Sequence, residues 1–161
     1  MSLKYAVSAL LILAAAFTTG CEKKSQKTEV EYEVYKNDRF RFELQYPKDM
    51  MQPVGYIPAG YGEVFRSEDR RATVTVEAKY NVDDDTLKDQ YEAVKSEYDG
   101  YHELNESEDW FSVSGVKEGN VYYMKRYLVD DVFLTYQHQY PESENDLYAP
   151  VMEVMKKSFK F

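Results

Sequence analysis

The sequence predicts an α+β domain in which helices flank an antiparallel β-sheet, and three observations indicate it. Segments whose apolar residues alternate with polar ones occur both before and after a segment with helical spacing. A second segment with helical spacing closes the chain. Short turn signals separate the strand segments, and strands joined by short turns pair antiparallel.

The clearest strand is expected over residues 39–46, where the pattern has a period of two. Its buried face is expected to carry Phe40, Phe42, Leu44 and Tyr46. Pro47 should end the strand, and the proline- and glycine-rich stretch 50–62 predicts a loop. Strands at 64–65 and 74–80 should then pair as a hairpin around 67–71, with the even-numbered positions Val74, Val76, Ala78 and Tyr80 facing inward.

The spacing changes after residue 85 and predicts a helix over 86–99 with Thr86 as its N-cap. Strands are expected again at 110–114, 121–129 and 132–140, with turns at 117–120 and 130–131. A closing helix should hold Leu147, Val151, Val154 or Met155, and Phe159. Pro150 has no N–H donor, so it must open a turn of this helix or kink it.

Cys21 is the only cysteine, and it follows a segment typical of bacterial lipoprotein signal peptides. Lys4 precedes an apolar run over 6–17, and small residues stand just before the cysteine. We therefore expect residues 1–20 to be a signal peptide that is removed, leaving lipid on Cys21. Each buried methylene contributes about 0.8 kcal/mol, so the acyl chains hold such a protein on a membrane almost permanently.

The same segment allows three alternatives to lipidation. A membrane-spanning helix needs about 20 apolar residues, more than precede the charged stretch 22–24. An ordinary secretory signal needs only small residues near its cut, and Thr18 stands where lipoprotein signals usually have leucine. A structural cysteine is disfavoured because Cys21 lies outside the predicted domain. Glu22 stands where the best-known signal for retention in the inner membrane has aspartate, so in a cell with two membranes the outer membrane is somewhat favoured.

Residues 21–30 predict a polar tether and residues 31–161 one folded domain. Lys4 is the only charged residue among the first 20, so the remaining chain carries 19 basic and 29 acidic side chains. This balance disfavours nucleic acid as a partner. With no second cysteine, the domain is expected to fold without disulfides, although an extracytoplasmic location allows them.

The domain begins with Tyr35 and RFRFELQYP at 39–47, and it ends with YPE at 140–142 and KSFK at 157–160. These segments resemble the PsbP-like superfamily, which includes the Mog-type Ran-binding proteins and the DcrB-like bacterial lipoproteins. The resemblance implies an α/β/α sandwich with a central antiparallel sheet between helices. It also implies a binding or assembly factor rather than an enzyme. Nothing in the sequence links the chain to photosynthesis or to Ran.

No common catalytic or phosphate-binding motif is present. His138 shares a predicted strand face with Leu134, Tyr136 and Tyr140, which favours a hydrogen-bonded sheet histidine over a catalytic base. His102 is expected to be exposed. We expect no catalytic residue and no cofactor, although a hydrolase with an unrecognised site stays an alternative.

The acidic run 83–85 is the best metal candidate. Asn81, Asp83, Asp85 and Glu92 imitate part of a calcium-loop spacing, but Thr86 stands where such a loop needs glycine. Acidic residues before a helix also complement its dipole without any ion. We therefore expect no metal site, and calcium binding by 83–85 stays open.

The chain has 16 tyrosines, which suit either cross-strand packing or recognition of a protein or glycan. We expect packing for the strand tyrosines and partner binding for Tyr56 and Tyr61, which lie in the predicted loop. The resulting hypothesis is a lipid-anchored envelope protein that binds another envelope protein. The alternative is a glycan or small-ligand binder with a tyrosine-rich groove, which would include Tyr56, Tyr61, Tyr122, Tyr123, Tyr127, Tyr136 and Tyr140.

Overall fold

The computed structural model describes residues 30–57 and 61–161, so the predicted signal peptide, Cys21 and the tether up to residue 29 lie outside the described residues. The described strands are β1 (Tyr32–Asn37), β2 (Phe42–Pro47), β3 (Gln52–Ile57), β4 (Gly62–Arg66), β5 (Thr73–Tyr80), β6 (His102–Asn105), β7 (Trp110–Lys117), β8 (Asn120–Val129) and β9 (Val132–Pro141). The helices are α1 (Leu87–Lys95) and α2 (Asn145–Ser158), and a 3₁₀ turn (Glu142–Glu144) leads into α2.

The strands form two antiparallel sheets. Seven of them make a large sheet in the order β3-β4-β5-β9-β8-β7-β6, and β1 and β2 pair separately. Every pairing in the large sheet is antiparallel. The prediction of an α+β fold with an antiparallel sheet and flanking helices is therefore confirmed.

The predicted turns at 117–120 and 130–131 are confirmed as two-residue hairpin turns. Asp130 and Asp131 have φ angles of 48° and 59°, and they join Val129 directly to its cross-strand partner Val132. Positive φ at both central residues is the mark of a type I′ turn, whose twist matches that of paired strands. Asp130 is thereby held at the end of the β8–β9 hairpin.

The larger hydrophobic core lies on the face of the sheet that α2 and the β1–β2 hairpin cover, here called the α2 face. Phe42 and Leu44 of β2 are buried there, as predicted, against Phe65, Tyr136 and Met152 among others. Backbone hydrogen bonds of 2.9 and 3.2 Å between residues 43 and 160 tie β2 to the end of α2. Phe40 is only partly buried, because β2 begins three residues later than predicted.

A second, smaller core lies on the opposite face, here called the α1 face. Leu87 of α1 packs with Phe111, Val113, Met124 and Phe133, which come from β7, β8 and β9. The predicted N-cap is confirmed, since the Thr86 hydroxyl accepts the backbone N–H of residue 89 and the carboxylate of that residue accepts the N–H of Thr86. Helices therefore cover both faces of the sheet.

The loop predicted over 50–62 is wrong in part, because it contains the edge strand β3. Proline is tolerated on an edge strand, where its missing N–H faces solvent. The β3–β4 register also shifts between Pro53 and Tyr56, and Gly55 has a φ of 142° in this stretch. Pro53 and Gly55 thus mark a bulged edge strand rather than a loop.

Other boundaries and burial patterns also differ from expectation. Helix α1 ends at Lys95, four residues earlier than predicted. Tyr80, predicted to face inward, is 46% exposed at the end of β5. In α2 the buried side is set by Tyr148, Val151, Met152 and Met155, whereas Leu147 and Val154 are exposed. The helix runs through Pro150, and the carbonyl that loses its donor belongs to the exposed Asp146.

Candidate binding groove

An aromatic cluster lies where the turn between β1 and β2 meets the end of β5. Ring centroids are 5.2 Å apart for Phe40 and Tyr61, 5.4 Å for Phe40 and Tyr80, and 6.0 Å for Tyr61 and Tyr80. The Arg39 guanidinium lies 4.5 Å from the centre of the Tyr61 ring and donates to its hydroxyl at 3.3 Å. Contacts of these kinds each contribute roughly 0.5–1.5 kcal/mol. The cluster therefore forms a fixed wall.

Beside this wall, three adjoining cavities meet at the side chain of Phe161, and together they are named the Phe161 groove. The first has about 400 Å³ and includes Arg39, Arg41, Tyr80 and Leu134. The second, of about 390 Å³, includes Lys36, Arg41, Glu43 and Lys160. The third, of about 500 Å³, includes Glu108, Asp109, Trp110 and Lys125. Each falls in the size range of natural ligand pockets, about 300–1,000 Å³.

Two exposed aromatic side chains give the groove an apolar surface that a partner can contact. Phe161 is 50% exposed and Tyr80 is 46% exposed, although each contacts other rings on one side. Phe161 packs edge-on against Tyr127 with a centroid separation of 4.9 Å. Rigid aromatic rings offer large contact area at low entropic cost, which is why they are enriched at interfaces.

The charge of the groove changes from one end to the other. Arg39 and Arg41 line the first cavity together with Asp130, which also lines the third cavity beside two further carboxylates, Glu108 and Asp109. Lys125 in the third cavity lies 3.7 Å from the centre of the Trp110 ring, and burial lowers the pKa of its ammonium group. The basic end is notable in a chain with 20 basic and 29 acidic side chains.

Arg41 is the most available cation of the basic end. Its side chain is exposed and forms no ion pair with any residue of the ranges 30–57 and 61–161. Its backbone has a φ of 57°, a left-handed conformation that residues other than glycine, asparagine and aspartate rarely adopt.

The two tyrosines predicted to bind a partner have different outcomes. Tyr61 lies in the wall of the groove, where its ring also packs against Phe40 and Tyr80, so it has a structural role as well. Tyr56 falls in β3, but its side chain lies outside the described part of the chain. Partner binding by Tyr56 and Tyr61 stays a prediction.

The strand tyrosines do not share one groove. Tyr136 and Tyr140 are buried in the core on the α2 face. Tyr123 pairs across the strands with His138, and their rings stack with centroids 5.3 Å apart. Tyr122 faces the other side of the sheet, where it lines a separate cavity, and Tyr127 lines the third cavity of the Phe161 groove. The single tyrosine-rich groove of the glycan hypothesis is therefore not formed by these side chains.

The histidines are held by packing contacts. His138 is hydrogen-bonded in the sheet, as predicted, with its Nδ1 3.1 Å from the Tyr136 hydroxyl. Burial, with a smaller contribution from Lys156, lowers the pKa of His138 to about 3. The expectation that His102 is exposed is wrong, because it is half-buried with Nε2 2.7 Å from the carbonyl oxygen of Tyr98.

The acidic run 83–85 is organised by hydrogen bonds with its neighbours. The Asn81 amide accepts the backbone N–H of Asp85 and donates to its carbonyl, both at 2.9 Å. The Asp85 carboxylate accepts the Gln90 amide at 2.7 Å. Among the residues whose placement is described, no cluster of three or more potential metal ligands is found.

Sequence reasoning missed the residues that complete the groove. Alternation predicts Arg39 and Arg41 only as outward positions of a strand and Tyr80 as a core residue, and it predicts no role for Phe161. A usable signal was present, because two arginines flank Phe40 in a chain that is otherwise rich in acidic residues. No helix within 30–57 and 61–161 has the length and apolar character needed to cross a membrane.

Comparison with known proteins places the fold. No protein-family model and no curated protein sequence matches the chain. Among solved structures, the cyanobacterial PsbP (CyanoP) of Synechocystis sp. PCC 6803 matches with a TM-score of 0.56 and 14% identity, over 92% of this chain and 98% of that one. The Ran-binding protein Mog1p of Saccharomyces cerevisiae matches with a TM-score of 0.47 and 12% identity, over 81% of this chain and 95% of that one. The described domain therefore has a PsbP-like fold.

Proposed function

We propose that this protein is a lipid-anchored bacterial envelope protein that binds another envelope protein through the Phe161 groove and catalyses no reaction. The observation that carries the proposal is the groove itself. It combines exposed aromatic rings at Tyr80 and Phe161 with two arginines at one end. Apolar anchors ringed by charge are the usual composition of a specific protein-binding site.

The anchor is supported by the sequence alone. A lysine, an apolar run and small residues precede the only cysteine of the chain, Cys21. Residues 21–30 then provide a tether of ten residues, which reaches at most about 36 Å when extended. The groove would thus stay close to the membrane surface, facing the periplasm or the exterior.

The charge of the groove supports a partner segment that carries acidic side chains. A complementary segment would place apolar side chains against Tyr80 and Phe161 and an acidic side chain between Arg39 and Arg41. A carboxylate there would form charge-assisted hydrogen bonds, which are about twice as strong as neutral ones. Glu108 and Asp109, which line only the third cavity, would repel acidic residues at the other end and so fix the direction of the segment.

The contacts of the histidines favour binding over catalysis. A general base works best with a pKa near the working pH. Burial lowers the pKa of His138 to about 3, and its ring stacks on the ring of Tyr123 in the sheet. His102 is engaged by a backbone carbonyl rather than by a side chain that it might activate.

A site-specific crosslinking experiment in intact cells tests the proposal. Benzoylphenylalanine replaces Tyr80 in the groove or, as the matched control, Tyr101, which is 66% exposed outside it. We expect position 80 to give one discrete adduct with an envelope protein, attached at a segment that carries acidic side chains. Position 101 should not give this adduct.

The variant Arg41→Asn sharpens the test. Asparagine tolerates a left-handed backbone, so the melting temperature should not fall while the charge is lost. Loss of one hydrogen bond to a charged group should reduce the adduct from position 80 about tenfold. An adduct of equal yield in this variant, the same adduct from position 101, or no adduct at position 80 would overturn the assignment of the groove.

A further inference from the structure

Helix α1 covers only one half of its face of the sheet. Its core partners come from β7, β8 and the start of β9. Beside it, a cavity of about 260 Å³ opens over β4, β5 and the other half of β9. We name this cavity the polar cleft; the lining side chains that matter here are Arg66, Thr73, Thr75, Tyr122, Gln137 and Gln139.

The strand register brings these side chains into one layer. Thr75 lies opposite Gln137, and Thr73 lies opposite Gln139 across the β5–β9 pair. Arg66 is the partner of Thr73 on β4, and Tyr122 is the partner of Gln139 on β8. Four neighbouring strands therefore present amide, hydroxyl, phenol and guanidinium groups on a single concave surface.

The polar groups of this layer are not used by the fold. The side chains of Thr73, Thr75, Gln137 and Gln139 are half-buried, and none forms a hydrogen bond with another residue of the described part of the chain. An amide and a hydroxyl each both donate and accept, which matches the hydroxyl groups of a sugar. Because these side chains are only half-buried, their polar atoms stay open to hydrogen bonds from water or from a ligand.

The polar cleft carries a positive charge at one edge. Arg66 stands exposed at its edge and forms no ion pair within 30–57 and 61–161. Among the residues with described side chains, no carboxylate lines the cleft. A ligand with a single negative charge would be favoured there, since guanidinium pairs with carboxylate through two parallel hydrogen bonds. The Tyr122 ring adds an apolar surface to the same wall.

We propose that the polar cleft binds one ring of an acidic sugar, with the ring hydroxyls on Gln137, Gln139 and Thr73 and the carboxylate on Arg66. The cavity is slightly smaller than the roughly 300–1,000 Å³ of pockets for drug-sized ligands, which suits a single ring. This site lies on the α1 face and is independent of the Phe161 groove.

Proton–nitrogen correlation spectra of the purified full chain test the assignment, with glucuronate, glucose and acetate as probes. Glucuronate should shift the side-chain amide signals of Gln137 and Gln139 in a saturable way. Glucose should bind the same groups about tenfold more weakly, because it lacks the charge. Acetate, which has the charge without the hydroxyls, should leave the two amides unshifted.

Two exposed arginines supply a matched pair of variants. Arg66→Met should reduce the affinity for glucuronate about tenfold and leave the affinity for glucose unchanged. Arg70 lies in the turn after β4 and does not line the polar cleft, so Arg70→Met should change neither affinity. Gln137→Met should weaken both sugars. The proposal is overturned if glucuronate shifts neither amide, if acetate shifts them equally, or if the Arg66 and Arg70 variants behave alike.

Discussion

Phe42→Ala should lower the free energy of unfolding by about 3–5 kcal/mol. Phe42 is 2% exposed, and its ring packs on Phe159 at 5.5 Å and on Tyr35 at 6.2 Å between centroids. It thus joins the β1–β2 hairpin to the end of α2. Backbone hydrogen bonds between residues 43 and 160 hold the two segments together on one side, so the space left by the ring cannot close freely.

The loss is large against the roughly 5–15 kcal/mol of a typical domain, and urea denaturation of the full chain would measure it. Val34→Ala is the matched control, since Val34 lies in the same hairpin but is 49% exposed, and its loss should be below about 0.5 kcal/mol. Equal denaturation midpoints for Phe42→Ala and the unchanged protein would refute the packing argument, because a buried ring at a junction cannot be removed without cost.

Three further variants address other features of the chain. Cys21→Ser should abolish palmitate labelling and release the protein from membranes, so labelling that persists in this variant would contradict lipidation at Cys21. Thr86→Ala should lower the free energy of unfolding by about 1 kcal/mol, because it removes the side-chain acceptor that caps α1. Lys88→Ala is the control and should change this free energy by less than about 0.5 kcal/mol. His138→Gln should make the free energy of unfolding depend less steeply on pH in the acid range. Burial lowers the pKa of folded His138 to about 3 from its ordinary 6.5, so the unfolded state binds the extra proton within that window. The contribution of His138 to the free energy of unfolding is therefore fully present above about pH 6.5, and it falls by up to about 1.4 kcal/mol per pH unit as the pH drops towards 3. An equally steep fall in the variant would assign the slope to other groups.

The fold class and the central strands could be predicted because alternation of apolar residues reports burial on one face directly. Val74, Val76 and Ala78 are buried where the period of two places them. The edge strands could not be predicted in the same way. Strand β3 carries Pro53 and Gly55, which are turn formers in a local pattern but are also tolerated on a bulged edge. Strand β6 has only four residues, all half-buried, so it has no alternation to detect.

The Phe161 groove could not be predicted from any local pattern. Its side chains come from the β1–β2 hairpin, the end of β5, the connection between β6 and β7, the β8–β9 hairpin and the segment after α2. Only the antiparallel register of the large sheet and the docking of α2 bring them together. Charge was the one signal available in the sequence, and it pointed to Arg39 and Arg41 without showing which surface they would share.

The two proposed sites lie on opposite faces of one sheet, and this separation makes them testable independently. The Phe161 groove opens on the α2 face, whereas the polar cleft opens on the α1 face beside Tyr122. Distant substitutions without shared contacts have additive effects. Arg41→Asn should therefore reduce protein crosslinking without changing glucuronate binding, and Arg66→Met should do the reverse. If either variant weakened both, the sites would be coupled through β5 and β9, and the sheet would have to transmit binding from one face to the other.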